Sequence, residues 1–132
     1  MGVRFSGGGS IVLVNGSFNS GGPESIIVSS LPLSVPFDSA QVCILWFISL
    51  LAGNTAMTYN FRIRRGTAIT SPLINVDEAI TGPAANAKAI YSGVYIDTPG
   101  AVASQQYSLG ILGAGGGTNP IINDACMYAF VL

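Results

Sequence analysis

The sequence predicts an all-β chain: an antiparallel β-sandwich or jelly roll of seven or eight short strands. Three observations carry that expectation. Apolar residues recur at every second position in several stretches, as a half-buried strand requires. Clusters of Gly, Pro, Asn and Asp separate those stretches at short intervals, drawing on 17 Gly and 7 Pro. No segment sustains the i, i+3, i+4 stripe of an amphipathic helix. A length of 132 residues fits one core. Residues 1–22 are expected to form a Gly-rich N-terminal arm that leaves the body, and 23–132 a single sandwich domain.

Taken in chain order, the expected strands begin with Ser10 to Val14 and Ser25 to Leu31. The third, Gln41 to Leu51, contains VCILWFISLL, whose Val, Ile, Trp and Phe favour strand over helix. That run is about half the roughly 20 apolar residues a spanning helix needs, so no membrane partner is expected. The fourth, AMTYNFRIRR, alternates most clearly. Met57, Tyr59, Phe61 and Ile63 should face a core, and Thr58, Asn60, Arg62 and Arg64 should face away. Ala68 to Asn75 is expected as a strand with Pro72 marking an edge or bulge. Ala87 to Ile96 and Gln105 to Leu112 follow, separated by DTPG.

The last strand, Ala125 to Leu132, has no charged side chain on either face. A sheet with one wet face alternates apolar with polar, so this strand is expected to be covered on both sides. Tyr128, Phe130 and Leu132 are assigned to the core by size. Met127, Ala129 and Val131 are assigned to an interface with another copy, Ala129 permitting close approach.

Composition points the same way. Charged residues make up 8% of the chain, against roughly 25% in ordinary soluble domains, while 49% are apolar. A domain this small normally needs charge to stay dispersed. Its principal partner is therefore expected to be itself. Five cations in a chain of net charge -1 make no basic stripe, so no nucleic-acid partner is expected.

Catalytic chemistry is sparse. With no His, the usual general base and commonest metal ligand are missing, and two isolated Cys make no zinc site. The Gly-rich GGGS and GAGGGTNP lack the following helix and the Gly-Lys-Ser/Thr of a phosphate loop. No cofactor, no metal and no enzymatic activity are expected. Oxygen-rich alternatives are a calcium site from Asp97 and Asp124, or a carboxylate couple of Asp97 with Asp38. Cys43 and Cys126 lie in apolar segments and read as buried thiols, or as a disulfide if their strands adjoin. Arg62, Arg64 and Arg65 are the one concentration of charge. They are expected to pair with carboxylates such as Asp77 and Glu78, or else to contact an external anion.

At FRIRRGTAITSPL, at YSGVYIDTPG followed by Tyr107-Ser108-Leu109, and at the final MYAFVL, the chain resembles the small jelly-roll structural proteins of bacteriophage and other viral particles. The same order is similar to the trimeric heads of the tumour-necrosis-factor and C1q kind. The resemblance covers residues 40–132. It implies a structural virion protein, a capsid decoration or minor capsid jelly roll assembled in the host cytoplasm. It also implies a homotrimer, with the N-terminal arm docking on other virion proteins. Two alternatives stand beside it. One is a receptor- or glycan-binding head using Trp46, Tyr59, Tyr91, Tyr95 and Tyr107 as stacking faces. The other is a filament subunit that exchanges its N-terminal strand.

Overall fold

A computed structural model describes residues 10–12, 16–17 and 21–132, with side chains described from residue 21 onward. Eleven strands run through the described residues, and there is no helix among them. They are β1 (Ser10–Val12), β2 (Gly16–Ser17), β3 (Ser25–Ser29), β4 (Leu33–Val35), β5 (Val42–Leu51) and β6 (Thr58–Arg65). The rest are β7 (Ala79–Thr81), β8 (Lys88–Asp97), β9 (Val102–Gln105), β10 (Tyr107–Ala114) and β11 (Ile121–Val131). One sheet has the order β1-β11-β5-β8, with β2 also on β11. The facing sheet is β3-β10-β6-β7, and β4 and β9 form a small two-stranded sheet. Every pairing is antiparallel. The chain is the expected all-β sandwich.

The core fills the gap between the sheets. From β6 come Tyr59, Phe61 and Ile63, and from β10 Tyr107, Leu109 and Ile111, each at most 4% exposed. Against them lie Val42, Ile44, Ile48 and Leu50 of β5, all fully buried. In register across β5 and β11, Ala129 sits opposite Ile44 and Ala125 opposite Ile48. These two pairs match a small side chain with a large one, as close packing of the layer requires. Trp46, Phe61 and Tyr91 interlock at ring-centroid distances of 5.2 and 4.9 Å. A Cβ on Gly93 would lie 2.7 Å from the Trp46 indole, so only glycine lets that ring lie against β8.

Several expectations are corrected. Ala68 to Asn75 is not a strand; it meets β6 at one isolated bridge, Arg64 with Leu73, with the Arg65 N–H donating to the Pro72 carbonyl (2.9 Å) and the Ile74 N–H to the Ile63 carbonyl (3.0 Å). Its proline and turn residues break the ladder, and a side chain completes what the backbone leaves open. Asn75 accepts the Ile63 N–H through Oδ1 (2.7 Å) and donates Nδ2–H to the Phe61 carbonyl (2.8 Å). β4, β7 and β9 were not expected, because each has only three or four residues, too few for a period to register. Within the expected arm, Ser10–Val12, part of the expected strand Ser10 to Val14, and Gly16–Ser17 pair with β11. Residues 1–9, 13–15 and 18–20 of that arm lie outside the described residues.

The facing of β11 is the reverse of the expectation. Met127 and Ala129 are fully buried inside the sandwich, and Val131 packs against the same core. Tyr128 and Leu132 point outward, 40% and 48% exposed. Beside the inward Ile44 and Ile48 of β5 there is room for Ala129 and Ala125 but not for a side chain the size of Tyr128.

Candidate functional site

The two outer faces of the sandwich differ in chemistry. The outer face of β3-β10-β6-β7 carries a connected network of charge. Arg62 and Arg64 project from β6 opposite Gly110 and Ser108 of β10. Glu24, just before β3, lies across β10 to meet both. Arg64 donates to it at 2.6 and 3.0 Å, and Arg62 at 3.3 Å. The Glu24 side chain is 5% exposed, and a Cβ at Gly110 would come within 2.8 Å of its carboxyl carbon. Glycine at 110 therefore opens the groove in which Glu24 lies. Arg62 also binds Asp77 through Nε (3.0 Å) and Nη2, and Asn60 Nδ2 donates to the same carboxylate (2.8 Å). Those hydrogen bonds hold the Asp77 carboxyl below its ordinary range and raise the Arg62 guanidinium.

The third arginine does something different. At the end of β6, Arg65 donates to Asp97 at the end of β8 (2.9 and 2.6 Å), and the Tyr107 hydroxyl donates to the same carboxylate (2.9 Å). Asp97 is 6% exposed and Tyr107 fully buried. Because β8 belongs to one sheet and β6 and β10 to the other, this cluster ties the sheets together at one end. Burial first, then the Asp97 hydrogen bond, drive the Tyr107 phenol far above its usual range.

Arg62, Arg64 and Arg65 are thus engaged within the chain by Asp77, Glu24 and Asp97, the pairing outcome of the two expected. Of the partners named from sequence, Asp77 is right and Glu78 is exposed. Glu24, in the GGPES turn, was missed because nothing in a loop carries a period. Neither oxygen-rich alternative assembles. Asp97 sits opposite Val42 and Asp124 opposite Ser49, at the two ends of β5. Asp38 instead accepts the Ala101 N–H (3.0 Å). Cys43 and Cys126 are buried free thiols on adjoining strands, but their cross-strand neighbours are Phe130 and Phe47, four positions out of register. Burial pushes both thiols up, away from reactive thiolate.

The outer face of β11-β5-β8 is the reverse in character. Cys43, Leu45 and Phe47 of β5 lie between Phe130, Tyr128 and Cys126 of β11 on one side and Ile96, Val94 and Ser92 of β8 on the other. Ile90 is 72% exposed, Val94 65%, Ile96 44% and Leu45 37%. No charged side chain interrupts these rows; Lys88 and Asp124 stand only at the end where Leu51 and Ser49 lie. A shallow cleft of about 240 Å³ opens between Leu45, Phe47, Cys126 and Tyr128. A contiguous exposed apolar surface of this kind marks an interaction site. The double-sided apolar signal of β11 recurs in the VCILWFISLL of β5. The aromatic residues named as stacking faces are elsewhere. Tyr59 and Tyr107 are fully buried, and Trp46, Tyr91 and Tyr95 pack against the core.

No protein-family model matches the chain, and no curated protein matches it in sequence. The fold is similar to that in the T=1 particles derived from infectious bursal virus: TM-score 0.61, 8% identity, 94% of this chain and 32% of that one. It is similar also to the infectious bursal disease virus Gx strain structure, with TM-score 0.57, 10% identity, and 94% and 33% of the two chains covered. A mutant VP2 protein of that virus, again as T=1 particles, gives 0.55, 8%, 92% and 32%. This chain spans about a third of the length of each. At such identities the likeness is one of fold. It supports the jelly-roll fold implied by the resemblance and not the tumour-necrosis-factor or C1q part.

Proposed function

We propose that this chain is a structural subunit of a viral particle, a capsid decoration or minor capsid jelly roll, that works by adhesion and not by catalysis. The observation that carries the reading is the uncharged outer face of β11-β5-β8, in a chain with 8% charged residues. Burying apolar area contributes about 25 cal/mol per Å², enough for side chains such as Ile90 and Val94 to favour association over exposure. The similarity of fold to virus-particle proteins is consistent with that role. The proposed partner is the chain itself, and its place is the virion. Docking of the N-terminal residues on other virion proteins belongs to the same proposal. The expected trimer loses its support along with the resemblance to tumour-necrosis-factor heads, so no copy number is carried forward. A glycan-binding head is the second reading; of its five named stacking faces, Tyr59 and Tyr107 are fully buried and Trp46, Tyr91 and Tyr95 pack against the core, which weighs against it.

Electron microscopy of the purified chain, with light scattering over a dilution series, tests the proposal. Regular oligomers or particles are expected. A well-folded monomer at every concentration would overturn it.

A further inference from the structure

β8 closes one side of its sheet. β5 pairs with it through an unbroken ten-residue register, and among the described residues no strand pairs with its other edge. An open edge presents unpaired backbone donors and acceptors and is ordinarily blunted by proline, a bulge, an inward charge or a covering segment. β8 has no proline and no bulge, and its charges stand at its two ends, Lys88 at the first position and the inward Asp97, engaged by Arg65, at the last. It is long, regular and apolar, with Ile90, Val94 and Ile96 exposed.

The strand is also self-complementary. Two antiparallel copies related by a two-fold axis through Gly93 place Ile90 opposite Ile96 twice, Ser92 opposite Val94 twice, and Tyr91 opposite Tyr95 twice. Residues facing each other then lie on the same side of the sheet, as an antiparallel pair requires. Lys88 falls opposite Thr98, so no like charges meet. Moving the axis to Ser92 sets Lys88 against Ile96, and moving it to Val94 sets Asp97 against Tyr91. Gly93 is the centre that avoids both.

We infer that two copies of this chain join edge to edge through β8, antiparallel about Gly93, making one continuous sheet whose outer apolar faces merge. The occupant of the edge is a second copy because the pairing is isologous: the same residues serve on both sides. The inference rests on the proposed self-association and adds an edge contact to it.

The test uses the full chain with Ile90→Cys and Ile96→Cys combined. Across the proposed axis these two positions lie within the roughly 4.4–6.8 Å Cα separation of a disulfide. Position 90 of one copy lies about 20 Å from position 90 of the other. Mild oxidation should therefore convert most of the double variant into covalent dimer on a non-reducing gel, while either single variant and the unmodified chain stay uncrosslinked. Val94→Lys, at an exposed position, should keep its β-spectrum and lose the dimer in light scattering. Assembled protein with no cross-link in the double variant, or with Val94→Lys assembling normally, would overturn the edge pairing and leave the proposed function standing. A folded, monomeric unmodified chain would overturn both.

Discussion

At the residue scale, the alternation of β6 divides stabilising work between two chemistries. Phe61 supplies buried area and Arg62 supplies charge-assisted hydrogen bonds. Phe61→Ala is expected to cost about 3–5 kcal/mol in urea denaturation, because the rigid aromatic cluster closes poorly over the cavity. Glu24→Gln removes the negative charge and one of the two acceptor oxygens that two arginines share, and is expected to cost about 1.5–3 kcal/mol. Gly110→Ala, by crowding the same carboxylate, should be strongly non-additive with it in a double-mutant cycle. A sum equal to the two single losses would show that Gly110 does not shape the Glu24 groove. The Tyr107 phenol gives a pH signature. Its ordinary ionisation lies near pH 10, and burial lifts it well above that in the folded chain. Below about pH 10 both states hold the proton and its contribution is complete. Above that, the unfolded chain releases the proton and the native one keeps it, so stability falls as pH rises. Tyr107→Phe should flatten that alkaline loss in thermal melts without removing it, since burial raises Tyr59 and Tyr91 as well.

At the scale of elements, β11 decides between two arrangements of the same residues. With Ala129 fully buried opposite Ile44, Ala129→Asp places an unpartnered carboxylate in the core and is expected to abolish the folded β-spectrum in circular dichroism. Tyr128→Lys, one position away on the outer face, should leave it intact; the opposite pattern would restore the facing read from sequence. That reading saw correctly that β11 is apolar on both sides. Period two separates its residues into two sets but does not say which set is inside; the inward volumes on β5 do, and they belong to another part of the chain. Where polarity also alternates, as in Phe61-Arg62-Ile63-Arg64, facing was legible directly. The long strands were legible for the same reason. The short β4, β7 and β9 were not, since two or three alternations do not rise above chance, and loop residues such as Glu24 gain their role only from the strands they cross.

At the scale of the whole molecule, the sandwich sorts its surface. Most described charge is spent on the outer face of β3-β10-β6-β7 and on the Arg65–Asp97–Tyr107 tie between sheets. The outer face of β11-β5-β8 is left apolar, ending at the open edge of β8. A monomer so arranged exposes Ile90 and Val94 to water at a continuing cost, which association removes. The central claim is that this face holds copies of the chain together. The most direct measurement is sedimentation velocity on the unmodified chain beside Leu45→Lys and Tyr128→Lys, which sit opposite one another at the centre of the face. The account predicts an unmodified chain assembled beyond a dimer and two folded variants that sediment no larger than the β8-paired dimer. Unchanged assembly in both variants, with the β-spectrum intact, would contradict it.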